Sequence, residues 1–252
     1  MTYIQNLPIQ FNTAIPQIGF RGAQGFQTTS TPLFQTDKFV SNPAGDIYGS
    51  KEEIEASARF NPRIMAILNE NNIPLKVNEN TLNDLKRGHL QETRVIAAKM
   101  YSALPADMKN EVNLTELQDA AMFHDYGKVL IPDKILNKAG ALNDKEWAIM
   151  QKHSELGAEL IKDKGLSKHT VELVKYHHQN KDRTGYPAVN GYYDYGIDSQ
   201  ILSAADKYTA LTEKRAYKNP LSREDSFAVL EQDVKNGDLS PEVFDALKKA
   251  VN

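Results

Sequence analysis

The sequence contains no cysteine. Disulfides and thiolate metal sites are therefore excluded, and any metal must be held by imidazole and carboxylate groups. Long apolar runs are missing as well. No stretch of about 18 apolar residues offers a membrane span, and nothing near the start reads as a secretory signal. A soluble, cytoplasmic chain without a membrane partner is the expectation. An excess of positive charge is also lacking: Lys and Arg number 30 against 33 Asp and Glu, a formal net charge of -3. A groove for a nucleic-acid duplex is not expected, although a local cationic pocket remains compatible with this balance.

Residues 1–50 are poor in charge of either sign, with only Arg21, Asp37, Lys38 and Asp46 among many Gln, Thr, Ser, Gly and Pro. No helical or strand period is sustained there, which predicts a disordered leader. The aromatics Tyr3, Phe11, Phe20, Phe26, Phe34, Phe39 and Tyr48 are scattered through it. They read as incidental to a flexible tail more readily than as a docking segment for a protein partner.

From Lys51 onward the pattern is helical, beginning with a lead-in over 51–79 that is interrupted at Pro62. Over 80–104, Leu82, Leu85, His89, Ile96, Met100 and Leu104 recur at steps of three, four or seven, one face of a predicted helix that includes His89. Asn113-Leu114-Thr115-Glu116 opens the next helix with an N-cap and an acid three residues on; it passes through His124 and stops at Gly127. Asn143-Asp144-Lys145-Glu146 repeats that signal ahead of Trp147, Met150, His153 and Gly157. A further helix carries Val171 and Val174 and reaches His177-His178. After a loop rich in Gly and Tyr, helices resume at Ser199–Thr212, after Ser222, and at Ser240-Pro241. Strand alternation is not found, so the fold class is all-α.

Five of the six histidines fall on or at the ends of successive predicted helices, and Asp125 sits beside His124. A single histidine on an apolar face is ordinarily a satisfied core residue. Burying five of them costs several kcal/mol unless something pairs with them. A divalent cation does so, because neutral imidazole and ionised carboxylate are its ligands. Helical bundles build such sites from inward-projecting side chains.

His124-Asp125-Tyr126-Gly127-Lys128 resembles the HD-x-G-K signature of the HD phosphohydrolase superfamily. Ile131-Pro132-Asp133-Lys134-Ile135-Leu136, His153, His177-His178, Gly185-Tyr186-Pro187 and the stretch Ala205-Asp206-Lys207-Tyr208-Thr209-Ala210-Leu211-Thr212 are similar, in order, to the HD-GYP subfamily. The resemblance covers about residues 80–245. It implies an HD-domain helical bundle with an extended C-terminal HD-GYP helical region, here 80–252. It further implies a metal-dependent phosphodiesterase that hydrolyses a cyclic dinucleotide, cyclic di-GMP first, with hydroxide activated by two metals. Another HD phosphohydrolase acting on a different nucleotide, or a silent nucleotide- or partner-binding module, is the alternative.

Carried onto this sequence, the resemblance gives the metal ligands. His89 would be the first of them; Gln91 is the rival register, because Arg94-Val95 resembles the family's H-x-x-R-V. His89 is preferred because it puts Thr93, Ala97, Met100, Tyr101 and Leu104 on the packing face. His124 would bind one metal, Asp125 bridge two, Asp206 complete the first, and His153, His177 and His178 serve the second. Which of the paired histidines points at the metal is not legible, and His169 reads as a surface residue. Lys128 would steady charge on the phosphoryl oxygens, or else cap a helix end. Arg215 and Lys218 would meet the substrate, and Tyr186, with Tyr192, Tyr193 and Tyr195, would stack on a base or pack on the protein's own helices. The cofactors would be two divalent transition-metal ions, Fe or Mn first, with Zn, Ni or Co as alternatives.

Four positions depart from the family. Gln179 stands where Glu usually follows the paired histidines, Arg183 where many members have Gly, and Thr209 where the second acid of D-x-x-D falls. Leu85 replaces the Glu that members with three metals carry, which favours two metals and a linear product.

Overall fold

Side chains placed just ahead of each helix fix where it begins. In the computed structural model, which describes residues 47–252 apart from 86–87 and 214–218, Ser50 and Glu53 form a reciprocal capping box at the start of α1 (Lys51–Phe60). Such a box satisfies two of the amide N–H groups that a helix start leaves open. Asn61 ends α1 and caps α2 (Pro62–Glu70), where Pro62 occupies the first turn, the position that does not need its missing N–H. Then follow α3 (Glu79–Leu85), α4 (His89–Ala103) and the single turn α5 (Ala106–Lys109). Asn113 caps α6 (Leu114–Phe123), and a 3₁₀ helix (Tyr126–Leu130) leads to α7 (Asp133–Leu136). A second capping box, Asn143 with Glu146, opens α8 (Asp144–Met150), which passes at Gln151 into α9 (Lys152–Ile161). Ser167, Ser222 and Ser240 cap α10 (Lys168–Tyr176), α12 (Arg223–Asn236) and α13 (Pro241–Ala250), and α11 (Ile197–Thr212) lies between the first two. Among the described residues there is no strand, only an isolated bridge between His178 and Tyr186. The all-α expectation holds.

Two helix boundaries differ from the expectation. The segment 80–104 is two helices, because the chain turns at Gly88 (φ −145°, ψ −94°), so His89 opens α4 rather than lying inside a helix. Gly127 does not stop α6. That helix has already ended at Phe123, and Gly127 lies within the 3₁₀ helix.

One core joins the elements, running from Ile54 and Ile64 through Leu90, Leu117 and Leu156 to Val243 and Leu247. Tyr48, counted with the leader on composition, belongs to this core: it is buried, packs edge-on against Phe123 at 5.5 Å and donates its hydroxyl to Met122 O. Tyr126 in turn donates its hydroxyl to the carbonyl of Tyr48. The rest of the leader, to residue 46, lies outside the described residues. Among the described residues no helix is long and apolar enough to cross a membrane.

Candidate metal centre

Three histidines lean on the last turn of the helix before them. His124 Nδ1 is 2.9 Å from Ala121 O, His153 Nδ1 is 2.8 Å from Met150 O, and His177 Nδ1 is 2.7 Å from Val174 O. These carbonyls belong to the last turns of α6, α8 and α10, where no intrahelical N–H remains to meet them. A carbonyl only accepts, so each Nδ1 carries the proton and each Nε2 is left with a lone pair. Local backbone geometry thus sets the tautomer that a metal ligand needs.

Those lone pairs converge. His153 Nε2 lies 3.4 Å from His177 Nε2, 3.2 Å from His178 Nε2 and 3.4 Å from Asp125 Oδ1. On the other side of Asp125, its Oδ2 is 3.6 Å from His124 Nε2, while Asp206 Oδ1 is 3.4 Å from His124 Nε2 and 3.0 Å from His89 Nε2. Two groups result, Asp125–His153–His177–His178 and His89–His124–Asp125–Asp206, and within each the donor atoms all lie within 4.8 Å of one another. Both groups could hold a metal ion, and Asp125 belongs to both. The fit is chemical as well as geometric. Neutral imidazole nitrogens aimed at each other without a proton repel, and His124 Nε2 is buried without a hydrogen-bond partner. A cation between them removes both penalties.

Burial dominates at three of the histidines, and neighbouring charge outweighs it at the aspartates and at His124. Burial pushes His153 down to about 4 and His177 down to about 3, and carries His178 well below its usual value. Burial opposes ionisation of Asp125, yet Lys128, His124 and His153 hold it well below the usual carboxylate range. Asp206 is held down likewise, against burial, by the neighbouring His124 and His89. His124 moves upward: burial lowers it, but Asp125 and Asp206 outweigh that.

All seven sequence-predicted ligands come together here, His177 and His178 both turning toward His153. The Gln91 register fails, since Gln91 is exposed whereas His89, Thr93, Ala97, Met100 and Leu104 are buried. Lys128 is buried and donates to Asp125 Oδ2 at 2.5 Å, so it is not a helix-end cap exposed to solvent. Arg215 and Lys218 lie outside the described residues. Tyr186 stands at the site, its ring 4.6 Å from His178 and 6.1 Å from His153. Tyr193 packs on Tyr176 at 4.8 Å, Tyr195 donates to Asp238 O at 2.8 Å, and Tyr192 is exposed. His169 is only partly exposed, because it pairs with the buried Asp198.

Close packing explains the two motif glycines. A Cβ on Gly127 would sit 2.0 Å from His153 O, and one on Gly185 would sit 2.1 Å from His178 O. Each glycine lets its segment run directly against the backbone of a site histidine. Sequence reasoning missed what Gln179 does. It is buried and donates from Nε2 to Pro187 O at 2.6 Å, tying the Gly-Tyr-Pro turn beneath the paired histidines. An ionised glutamate could not do so, since a carboxylate has no proton to give. Glu213, whose Oε2 lies 3.6 Å from His89 Nδ1, was missed too.

Residues 76–243 match the family model described as HD domain, more than half of the 252 residues. The chain belongs to the HD domain family. Within that family its ordered motifs and its curated relatives make it HD-GYP-like. A cyclic di-GMP phosphodiesterase of Thermotoga maritima is 36% identical over 143 residues, 56% of this chain and 38% of that protein. The 3'3'-cGAMP-specific phosphodiesterase 2 of Vibrio cholerae is 42% identical over 110 residues, 43% of this chain and 21% of the relative. The HD domain chain thus spans less than half the length of these relatives. Among solved structures, an HDG"Y"P protein from Bdellovibrio bacteriovorus is similar with a TM-score of 0.49 at 16% identity, covering 84% of this chain and 75% of that one.

Proposed function

We propose that this chain is a metal-dependent phosphodiesterase that opens a cyclic dinucleotide, cyclic di-GMP first, to its linear product. The observation that carries the reading is the sharing of Asp125 between two groups of converging donor atoms. The names of the relatives, cyclic di-GMP and 3'3'-cGAMP phosphodiesterases, support the substrate class.

His89, His124, Asp125 and Asp206 would hold one divalent ion and Asp125, His153, His177 and His178 the other, with Asp125 bridging. The donors are nitrogen and oxygen only, which suits Fe or Mn, with Zn, Ni or Co as alternatives. Such a pair, when bound, supplies Lewis acidity to the phosphoryl oxygens and acidifies water at neutral pH. The chain's own residues do the rest. Carbonyls at three helix ends hold the protons on Nδ1, which would leave the Nε2 lone pairs for a metal. Lys128 balances Asp125 and brings a fixed positive charge to where negative charge grows on phosphorus-bound oxygen. Tyr186, with its hydroxyl pushed by burial well above the usual tyrosine range, remains a proton donor and forms a wall beside His178. Arg215 and Lys218 would contact the substrate's outer phosphate or base. The buried, apolar Leu85 offers no third-metal ligand, consistent with a linear product.

Purified protein loaded with Mn(II) or Fe(II) under anaerobic conditions, given cyclic di-GMP and 3'3'-cGAMP in parallel, tests the reading. Linear dinucleotide from either supports it, and the faster substrate names the specificity. Binding of both without turnover would replace it with the silent-module alternative.

A further inference from the structure

We propose that His169 and Asp198 are positioning residues of the metal centre: their ion pair fixes the register of α10 against α11. The spacing between the two groups of ligands follows from that register. The proposal rests on the metal-centre reading above and deepens it.

Each of these helices delivers a ligand to a different group. Helix α10 leads to His177, in the group with His153 and His178, and α11 carries Asp206, in the group with His89 and His124. His169 stands near the start of α10, eight residues before His177. Asp198 stands near the start of α11, eight residues before Asp206. There His169 Nε2 meets Asp198 Oδ2. Eight helical residues rise about 12 Å. Both helices thus set out from the pair and reach the centre after equal rises. A slip at the pair would carry a ligand of one group past those of the other.

The cost of burying a carboxylate argues for this role. Asp198 is buried in the first turn of α11, where its Oδ1 also accepts from Ser199 N at 2.8 Å. Both oxygens are therefore engaged, one within its own helix and one across to α10. Burial lowers His169, but its bond to Asp198 outweighs that, and Glu116 on α6 and Glu172 on α10 add in the same sense. The ring therefore holds its proton to higher pH than an ordinary histidine. A buried ion pair contributes little net stability compared with apolar side chains of similar volume, and its best-attested use is to fix register. Neither residue offers an atom to the two donor groups. What the pair joins is the helices that do.

Electron paramagnetic resonance of the Mn(II)-loaded protein tests the assignment, because magnetic coupling between two bound ions depends steeply on their separation. The unsubstituted protein should take up two equivalents and give one coupled spectrum. His169→Gln keeps a side-chain N–H to donate to Asp198 and should give the same spectrum. His169→Leu combined with Asp198→Leu removes the pair without leaving a lone buried charge. That double variant should match or exceed the metal-free melting temperature of the unsubstituted protein, yet its coupled spectrum should broaden or shift. A role in stability alone predicts the reverse, a lowered melting temperature with the coupling intact. An unaltered spectrum in the double variant, or an equal change in His169→Gln, would overturn the proposal while leaving the metal-centre reading intact. If the unsubstituted protein bound no Mn(II), or bound two ions without coupling, both would fall.

Discussion

His153 and His177 present their unprotonated Nε2 atoms to each other at 3.4 Å, each with its Nδ1 proton already given to a helix carbonyl. A second proton on either ring would have to sit on a buried Nε2 that faces the other histidine. Both are buried, and burial holds His153 at about 4 and His177 at about 3. In the unfolded chain both regain a value near 6.5. Between those limits the unfolded state binds more protons than the folded one, so stability must fall with pH in that window. The metal-free protein should therefore lose stability as pH drops from about 6.5 toward 4, on the order of 3 kcal/mol for His153 alone. His124, which is raised, contributes in the opposite sense and reduces the total. Urea midpoints across this range provide the check, and His153→Gln should flatten the slope. A midpoint indifferent to pH between 7 and 4.5 would refute the account.

Asp125 serves both groups of donor atoms, whereas His178 and His89 each serve one. Asp125→Asn should abolish turnover and bring metal content down toward zero from two equivalents. His178→Ala and His89→Ala should each leave one equivalent. Helical content by circular dichroism should persist in Asp125→Asn, because the amide oxygen still accepts from Lys128. Elemental analysis showing the same residual metal in all three variants would contradict the shared role.

Gln179 is replaced most informatively by Glu, which keeps the volume and removes the donor. The new carboxylate would face Pro187 O across 2.6 Å. A cost of about 1–3 kcal/mol in stability is expected, with a rise in KM larger than the fall in kcat, since the turn that carries Tyr186 loses its tether. The single tryptophan reports on that turn, because Trp147 lies 6.0 Å from the Tyr186 ring. Its emission should shift in Gln179→Glu and stay constant in an exposed control such as Tyr192→Phe. Unaltered emission and KM together would remove the tether from consideration.

Gly127→Ala should be among the most destabilising single changes. Its Cβ would meet His153 O at 2.0 Å and Gly157 N at 2.4 Å, both backbone atoms that cannot swing away. A loss of about 3 kcal/mol or more is expected, measured as a drop in the denaturation midpoint. Near-unchanged stability would mean that the 3₁₀ helix and α9 separate easily.

Arg183 offers a change in the other direction. Its φ of +65° lies in the left-handed region, and its Nη1 contact to Gly191 O is exposed and 3.4 Å long. Arg183→Gly should stabilise the protein by up to about 1 kcal/mol, because the side-chain clash with the backbone disappears while the added flexibility of Gly offsets part of the gain. A clear loss of stability would show that the Arg183 side chain contributes more than its geometry suggests.

Much of this architecture was legible in the residues. Asn113, Asn143, Ser222 and Ser240 marked helix starts because capping is local chemistry, decided within four positions. The break at Gly88 was hidden because Leu82, Leu85, His89 and Ile96 keep a helical spacing straight across it. Gly127 read as a terminator, whereas its reason is the approach of α9, which no window around residue 127 contains. The convergence of histidines and aspartates was readable as a set, since nothing but a shared centre explains so many buried imidazoles. Their division of labour was less so. His177 and His178 are adjacent past the end of α10, where the chain leaves the helix and both rings turn inward. Glu213 could not be picked out, because an acid at a helix end resembles any solvated surface charge until the partner helix is in place.

The carbonyls beneath His124, His153 and His177 have a practical consequence for anyone probing this centre by alanine scanning. Each of these rings meets a helix-end carbonyl as well as facing the cavity, so truncation strips that acceptor of a donor at the same moment that it removes a candidate ligand. Part of any observed loss would then be fraying rather than lost chemistry. Asparagine, whose amide can still reach back to the carbonyl, is the fairer substitution, and the gap between the two replacements would measure how far the scaffold depends on its own reactive groups.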